Sequence, residues 1–375
     1  MMKILCVIGT RPEAIKMAPV IKELEKHSTD FETHICVTAQ HREMLDQVLG
    51  LFRLKPDFDL NIMSPGQSLS GIAASVLTGL PEILDRGNYD WVLVQGDTTT
   101  VAAASLAAFY AGVAVGHVEA GLRTFDRRQP FPEEINRSLL GVLADRHFAP
   151  TNSAQQNLIK SGIPADRILV TGNTVIDALN MVLAIPYDLH KGKLRELPLD
   201  DKKIVLITVH RRESFGAPLE EICAAVEDLA LSFRDELHFV WPVHPNPNVK
   251  AVVEKKLSRI PNISLVAPLD YVDICQLMKR CFLILTDSGG IQEEAPSLNV
   301  PVLVLRKVTE RQEALEAGTA KLVGADKRTI VSEATHLLTD SARYRAMTHI
   351  QNPFGDGKAA NRIVADLLAN PPLTT

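Results

Sequence analysis

Along the chain, short apolar runs of strand length alternate with longer amphipathic stretches almost throughout. The runs at 3–8, 33–38, 91–95, 113–118, 146–149 and 167–171 form one series. Those at 203–208, 238–241, 263–266, 281–286 and 301–305 form a second. Between them, 13–26, 42–52, 98–110, 134–144, 217–233, 248–258 and 326–339 read as helices. Strands apolar on both faces and separated by helices predict parallel sheets covered on both sides. Two such series predict an α/β protein of two doubly wound, Rossmann-like domains facing a cleft. Gly172-Asn173-Thr174 closes the first series, and the charged, Pro-containing 190–202 stretch reads as linker and loop. The expected domains are 1–172 and 173–357.

Composition narrows the classes. A length of 375 residues suits two domains, and 46% hydrophobic residues can fill two cores. With 40 basic and 45 acidic residues the net charge is −5, which argues against nucleic-acid or membrane-surface partners. Five cysteines without a Cys-x-x-Cys pair read as buried free thiols in a reducing compartment. The opening apolar run is too short for a signal peptide. The Ala-rich window 101–116, broken by Ser105, Tyr110 and Gly112, reads as a helix and a strand rather than a membrane span. A cytoplasmic location is expected.

In doubly wound folds ligands bind beyond the carboxyl ends of the strands, so the polar residues there are the candidates. The most telling segment is 286–295, Thr-Asp-Ser-Gly-Gly-Ile-Gln-Glu-Glu-Ala. Ser288, Gly289 and Gly290 would open a helix whose bare N–H groups suit a phosphate, and Glu294 would suit ribose hydroxyls. The plainer alternative is a helix start capped by Asp287 or Ser288. Arg11 and Lys16 follow the first strand and either reach an anion or belong to a Pro-started helix with surface cations. Asp97 is either an N-cap or, if a Thr caps instead, a free acid. Glu119, directly after a buried strand, needs a task or a partner such as Arg123. Glu133 and Glu134 suit a helix dipole, and one of them is also placed for chemistry. His210, Arg211 and Arg212 look like a phosphate or leaving-group site. His244, in a Pro-rich corner, reads as structural or peripheral. Arg306 and Arg311 are both candidates for a nucleotide contact.

Dinucleotide, P-loop, zinc-protease and nucleophile-elbow motifs are all missing. No cofactor and no metal are expected.

Several segments together resemble the non-hydrolysing UDP-N-acetylglucosamine 2-epimerases. They are Gly9-Thr-Arg-Pro-Glu-Ala-Ile-Lys16, Thr38-Ala-Gln-His-Arg-Glu-Met-Leu-Asp-Gln, Gly96-Asp-Thr-Thr-Thr, Gly116-His-Val-Glu-Ala-Gly-Leu-Arg-Thr, Pro132-Glu-Glu-Ile-Asn-Arg, Gly172-Asn-Thr-Val-Ile-Asp, His210-Arg-Arg-Glu-Ser-Phe-Gly and the 286–295 segment. The resemblance implies a glycosyltransferase-B-like fold, a homodimer, and a last helix, 358–375, packing back on the first domain. It implies interconversion of UDP-GlcNAc and UDP-ManNAc, feeding bacterial surface polysaccharides. Asp97, Glu119 and Glu133 match the family's acid–base carboxylates and His210 its essential histidine. Arg11 and Lys16 match residues near the diphosphate. Ser288, Gly289, Gly290, Glu294 and Arg311 match UDP contacts. Some members bind a second UDP-GlcNAc as activator. Gln40, Glu134, Arg211, Arg212 and His244 resemble parts of that site, while Glu43 and Gly66 depart from the Gln and Arg found there.

Overall fold

The computed structural model describes residues 1–38, 42–63, 66–189, 191–199 and 201–372, with the side chains of 42–44 also outside the description. The first series of apolar runs forms β1 (Met2–Ile8), β2 (Phe31–Val37), β3 (Phe58–Asp59), β4 (Trp91–Gln95), β5 (Ala114–Val118), β6 (Arg146–Ala149) and β7 (Ile168–Val170). They pair in the order β3-β2-β1-β4-β5-β6-β7, every pair parallel. The second series forms β8 (Lys203–Thr208), β9 (Leu237–Pro242), β10 (Ile263–Val266), β11 (Cys281–Thr286), β12 (Val302–Val304) and β13 (Ala320–Leu322). Their order, β10-β9-β8-β11-β12-β13, is again wholly parallel.

Strands such as Ile4–Ile8 and Val92–Val94 are buried on both faces, which is why they read as unbroken apolar runs. Each fully buried Leu, Ile or Val contributes about 2 kcal/mol. Helices cover the sheets, and all five cysteines are buried and outside any disulfide. No described helix is long and apolar enough to cross a membrane.

The chain divides into Met1–Ala178 with Phe354–Thr375, and Leu179–Pro353. The division falls inside the helix Thr174–Leu183, not at Gly172, and the return falls at Phe354, a few residues before the expected 358. The last helix, Ala359–Ala369, is tied into the first unit. Its opening N–H groups, from Ala359 and Ala360, donate to Asp177 at 3.2 and 2.9 Å. Arg146 Nε donates to Asp366 Oδ2 at 2.9 Å, and Asn361 Nδ2 to Glu23 Oε1 at 2.6 Å.

Each sheet reverses its winding once: between β1 and β4 in the first unit, and between β8 and β11 in the second. These switch points open crevices at the carboxyl edge, where ligands bind in folds of this kind.

Candidate active site

In the first unit the turn after β1 is shaped by a residue that the sequence reading left aside. Glu13 is buried, and its carboxylate reaches back to the turn. Oε2 accepts the Gly9 N–H at 2.6 Å, and Oε1 accepts the Thr10 hydroxyl at 3.0 Å. Burial pushes this carboxyl up to about 7 against those hydrogen bonds. A Cβ on Gly9 would sit 2.8 Å from the Thr100 side chain, so this turn presses on the helix Thr99–Tyr110. Arg11 then opens the helix Arg11–Lys26, and its side chain takes no hydrogen bond or ion pair among the described residues.

Beyond β4, Thr98 caps the next helix, accepting the Val101 N–H at 3.3 Å. Asp97 is thereby relieved of capping. It pairs instead with Arg137, whose Nε and Nη2 lie 2.8 and 2.7 Å from Oδ2. Asn136 donates to the Asp97 carbonyl at 2.8 Å. Beyond β5, Glu119 stands at φ +64°, a left-handed conformation costing a non-glycine residue on the order of 1 kcal/mol. Its carboxylate receives Lys16 Nζ at 2.6 and 2.8 Å and the Gln95 amide. The expected partner Arg123 points elsewhere, to the carbonyls of Leu122 and Arg137.

The two acids at the start of the helix Glu133–Leu143 differ sharply. Glu134 is buried and holds a loop: it accepts the N–H groups of Thr124 and Phe125, both at 3.0 Å, and Arg137 Nη1 at 3.2 Å. Glu133 keeps a buried Oε2 with no partner among the described residues.

In the second unit the switch point is organised by Asp287, which is fully buried. Its carboxylate accepts the N–H groups of His210 and Arg211 at 3.0 and 2.9 Å and the Ser214 hydroxyl at 2.9 Å. His210 Nδ1 lies 3.0 Å from Oδ1, so the ring's other nitrogen faces outward from a half-exposed side chain. Burial pulls the Asp287 carboxyl up, but the His210 bond and charge, with Arg211 and Ser214, hold it below its ordinary value. Arg211 Nε donates to the Asp287 carbonyl at 2.8 Å. The Arg212 side chain is exposed and makes no polar contact among the described residues.

After β11, Ser288 opens the helix Gly289–Glu294 without capping it, and its own N–H is taken by Thr286 Oγ1 at 2.9 Å. The N–H groups of Gly289 and Gly290 belong to the helix's first turn, which has no acceptor within the helix. A Cβ on Gly290 would meet nothing nearer than Ser288 Oγ at 4.0 Å, so the fold does not require glycine there. Arg311 lies over Gly289, and its Nε donates to buried Glu293 at 2.8 Å. Glu294 is buried, with Oε1 accepting the Tyr271 hydroxyl at 2.5 Å.

Comparison with known proteins gives this geometry a family. A family model described as UDP-N-acetylglucosamine 2-epimerase matches residues 22–368. The UDP-N-acetylglucosamine 2-epimerase of Escherichia coli K12 is 54% identical over 98% of this chain and 99% of its own. The chain is an enzyme of the UDP-N-acetylglucosamine 2-epimerase family. The Neisseria meningitidis UDP-GlcNAc 2-epimerase, solved bound to UDP-GlcNAc, matches at TM-score 0.89 with 49% identity, over 98% of this chain and 100% of that one. A Staphylococcus aureus structure solved with UDP matches at TM-score 0.87 with 47% identity, over the full length of both. The epimerase-family fold is the two-sheet, glycosyltransferase-B-like one expected from the alternation of strands and helices.

The fold brings Arg11, Lys16, Asp97 and Glu119 to the carboxyl edge of the first sheet, and His210, Arg211 and Ser288–Gly290 to that of the second. It changes four expectations. Lys16 lies against Glu119 rather than standing bare. Glu119 is not paired with Arg123. Glu134 is spent on a loop. Arg306 is committed to Glu213 and Glu310 at 2.6 and 2.8 Å, as Arg311 is to Glu293. His244 accepts the Asn246 N–H at 3.2 Å, in keeping with a local structural role. Gln40 lies outside the described residues.

The residues missed were the partners: Gln95, Arg137, Tyr271, Glu293 and, above all, Asp287, read only as a cap. The reasoning that flagged Glu119, a carboxylate directly after a buried strand, applied equally to Asp287. No group of three His, Cys, Asp or Glu among the described residues could hold a metal.

Proposed function

We propose that this chain interconverts UDP-N-acetylglucosamine and UDP-N-acetylmannosamine, inverting C2 by elimination and re-addition of UDP. What supports this reading above all is the acid set of the first unit. Gln95 and Val118 are register partners on β4 and β5, so Asp97 and Glu119 both emerge just past the ends of adjacent strands. A transferase passing the sugar to an acceptor has no need of that set.

The sugar's C2–H is not alpha to a carbonyl and is barely acidic. Breaking C1–O first sends the electron pair away with UDP and leaves an oxocarbenium-like centre that acidifies C2–H. Loss of that proton to a carboxylate gives 2-acetamidoglucal. Return of UDP to C1, with a proton delivered to the opposite face of C2, gives the epimer, with no net oxidation. Asp97, Glu119 and Glu133 form the acid–base set in this scheme. His210, oriented by Asp287, and Arg211 with Arg212 stabilise the departing diphosphate. Gly289 and Gly290 offer it N–H groups, Ser288 its hydroxyl, Arg311 its charge, and Glu294 receives the ribose. The enzyme works as a cytoplasmic homodimer supplying N-acetylmannosamine units for surface polysaccharides.

Purified protein given UDP-GlcNAc alone is expected to produce UDP-ManNAc. Free N-acetylmannosamine, or an unchanged substrate, would contradict the proposal. Activation by a second UDP-GlcNAc is expected to be weak, because Glu43 adds an anion and Gly66 lacks a cation where a diphosphate would bind. Reverse epimerisation that stays near zero until UDP-GlcNAc is added would overturn that expectation.

A further inference from the structure

Gly96 is the joint between β4 and Asp97. It stands at φ +82°, a conformation for which glycine is suited, and a Cβ there would meet no atom within 4 Å. Packing does not hold this joint; hydrogen bonds to β5 do. The Gly96 N–H donates to the Val118 carbonyl at 3.1 Å. The Gly96 carbonyl lies 2.7 Å from His117 Nε2. A carbonyl only accepts, so Nε2 carries the proton. Val118 and His117 are the two residues immediately before Glu119 on the same strand. The joint that aims Asp97 is thus pinned at both ends to the strand that carries Glu119.

We propose that His117 is a positioning residue for the epimerisation, its Nε2–H fixing the Gly96 carbonyl and so the placement of Asp97 against Glu119. This rests on the acid–base reading of those two residues. The imidazole suits the task. It is buried, and its edge meets His147 with ring centroids 6.5 Å apart. Burial, helped by the charges of Arg123 and Arg137 and opposed by the Gly96 bond and Glu119, holds its pKa down at about 4. At neutral pH it is therefore an uncharged donor with one tautomer. Its Nδ1 is buried without a partner among the described residues, so the bond to Gly96 is the ring's only hydrogen bond among them. A ring of similar size without nitrogen would lose that one bond and little else.

The test is a set of variants read by kcat, KM and UDP affinity, with Asp97→Asn alongside. His117→Phe keeps the ring and removes the donor. His117→Gln returns an amide N–H at about the reach of Nε2. His117→Asn carries the same amide too short to reach. His117→Phe and His117→Asn are expected to lose at least about tenfold in kcat, with KM and UDP affinity little changed, because small misplacements of catalytic groups are costly. His117→Gln is expected to recover most of that loss. Should His117→Phe fail to fold, the Gln–Asn pair carries the test unaided. Full kcat in His117→Phe or His117→Asn while Asp97→Asn is inactive would overturn the role of His117 alone, as would a Gln variant no better than Asn. An Asp97→Asn enzyme with full activity would instead overturn the acid–base reading beneath it.

Discussion

In the first unit Asp97 lies over the more deeply buried Arg137, whereas in the second His210 lies over the buried Asp287. Asp97 is 25% exposed while its partner Arg137 is 8% exposed. His210 is 46% exposed while Asp287 is wholly buried. Arg311 and Glu293 form a pair in which both members are largely buried. In the Asp97 and His210 pairs one member is sunk in the fold and aims the other, an acid in the first unit and an imidazole in the second. On the proposed elimination of UDP, the first unit would supply bases for C2–H and the second would supply groups for the leaving diphosphate. Glu119 departs from the pattern, since both it and Lys16 are largely buried.

The largest effect should come from the acids. Asp97→Asn and Glu119→Gln are each expected to lower kcat by about a hundredfold or more, and Glu133→Gln similarly, with UDP affinity retained. Equal loss of UDP affinity, measured by calorimetry, would break the division of labour between the units. Asp287→Ala should act on the fold as well. It strands the N–H groups of His210 and Arg211 and the Ser214 hydroxyl, and is expected to cost roughly 3 kcal/mol in urea unfolding. His210→Asn should cut turnover while leaving stability nearly unchanged, and a destabilisation matching Asp287→Ala would refute that contrast.

A smaller, purely binding effect is expected at Gly290. A Cβ there meets no protein atom closer than the ordinary contact with Ser288, so folding should survive. UDP affinity should fall by at least about tenfold. An unchanged affinity in the folded variant would remove the clamp from the account.

The smallest effects on turnover concern pH and separate the units by sign. Glu13, raised from 4.5 to about 7, favours the protonated form in the fold. Its contribution is therefore most favourable below the ordinary value and declines as pH rises to about 7. Asp287, held below 3.8, stabilises above that value and loses its contribution as the medium is acidified through its lowered pKa. Glu13→Gln should flatten the upper slope and leave the acid limb intact. Urea unfolding across this range would show whether it does.

Much of the architecture was legible because burial on both faces leaves a plain signature. The runs 146–149, 203–208, 263–266 and 281–286 coincide with β6, β8, β10 and β11. The helix Leu69–Gly87 escaped notice. Its buried Ile72, Val76, Leu80 and Leu84 recur every fourth residue, but Gly79 and Pro81 interrupt the run. The edge strands β3 and β13, of two and three residues, are too short to show a period. Polar residues after apolar strands marked the site, yet their partners did not show. Arg137 lies 40 residues from Asp97, and Asp287 lies 77 from His210. What joins them is sheet order, β8 beside β11 and the helix Glu133–Leu143 beside the end of β4, and apolar periodicity carries no record of strand order.

The claim that one unit supplies protons while the other releases UDP is tested most directly by running the reaction in D2O and analysing product and intermediates together. The account predicts deuterium at C2 of the product, traces of 2-acetamidoglucal with free UDP, and full activity in protein stripped of NAD. Product that keeps its original C2 hydrogen would contradict it. So would C2 exchange that depends on NAD and proceeds without the glycal.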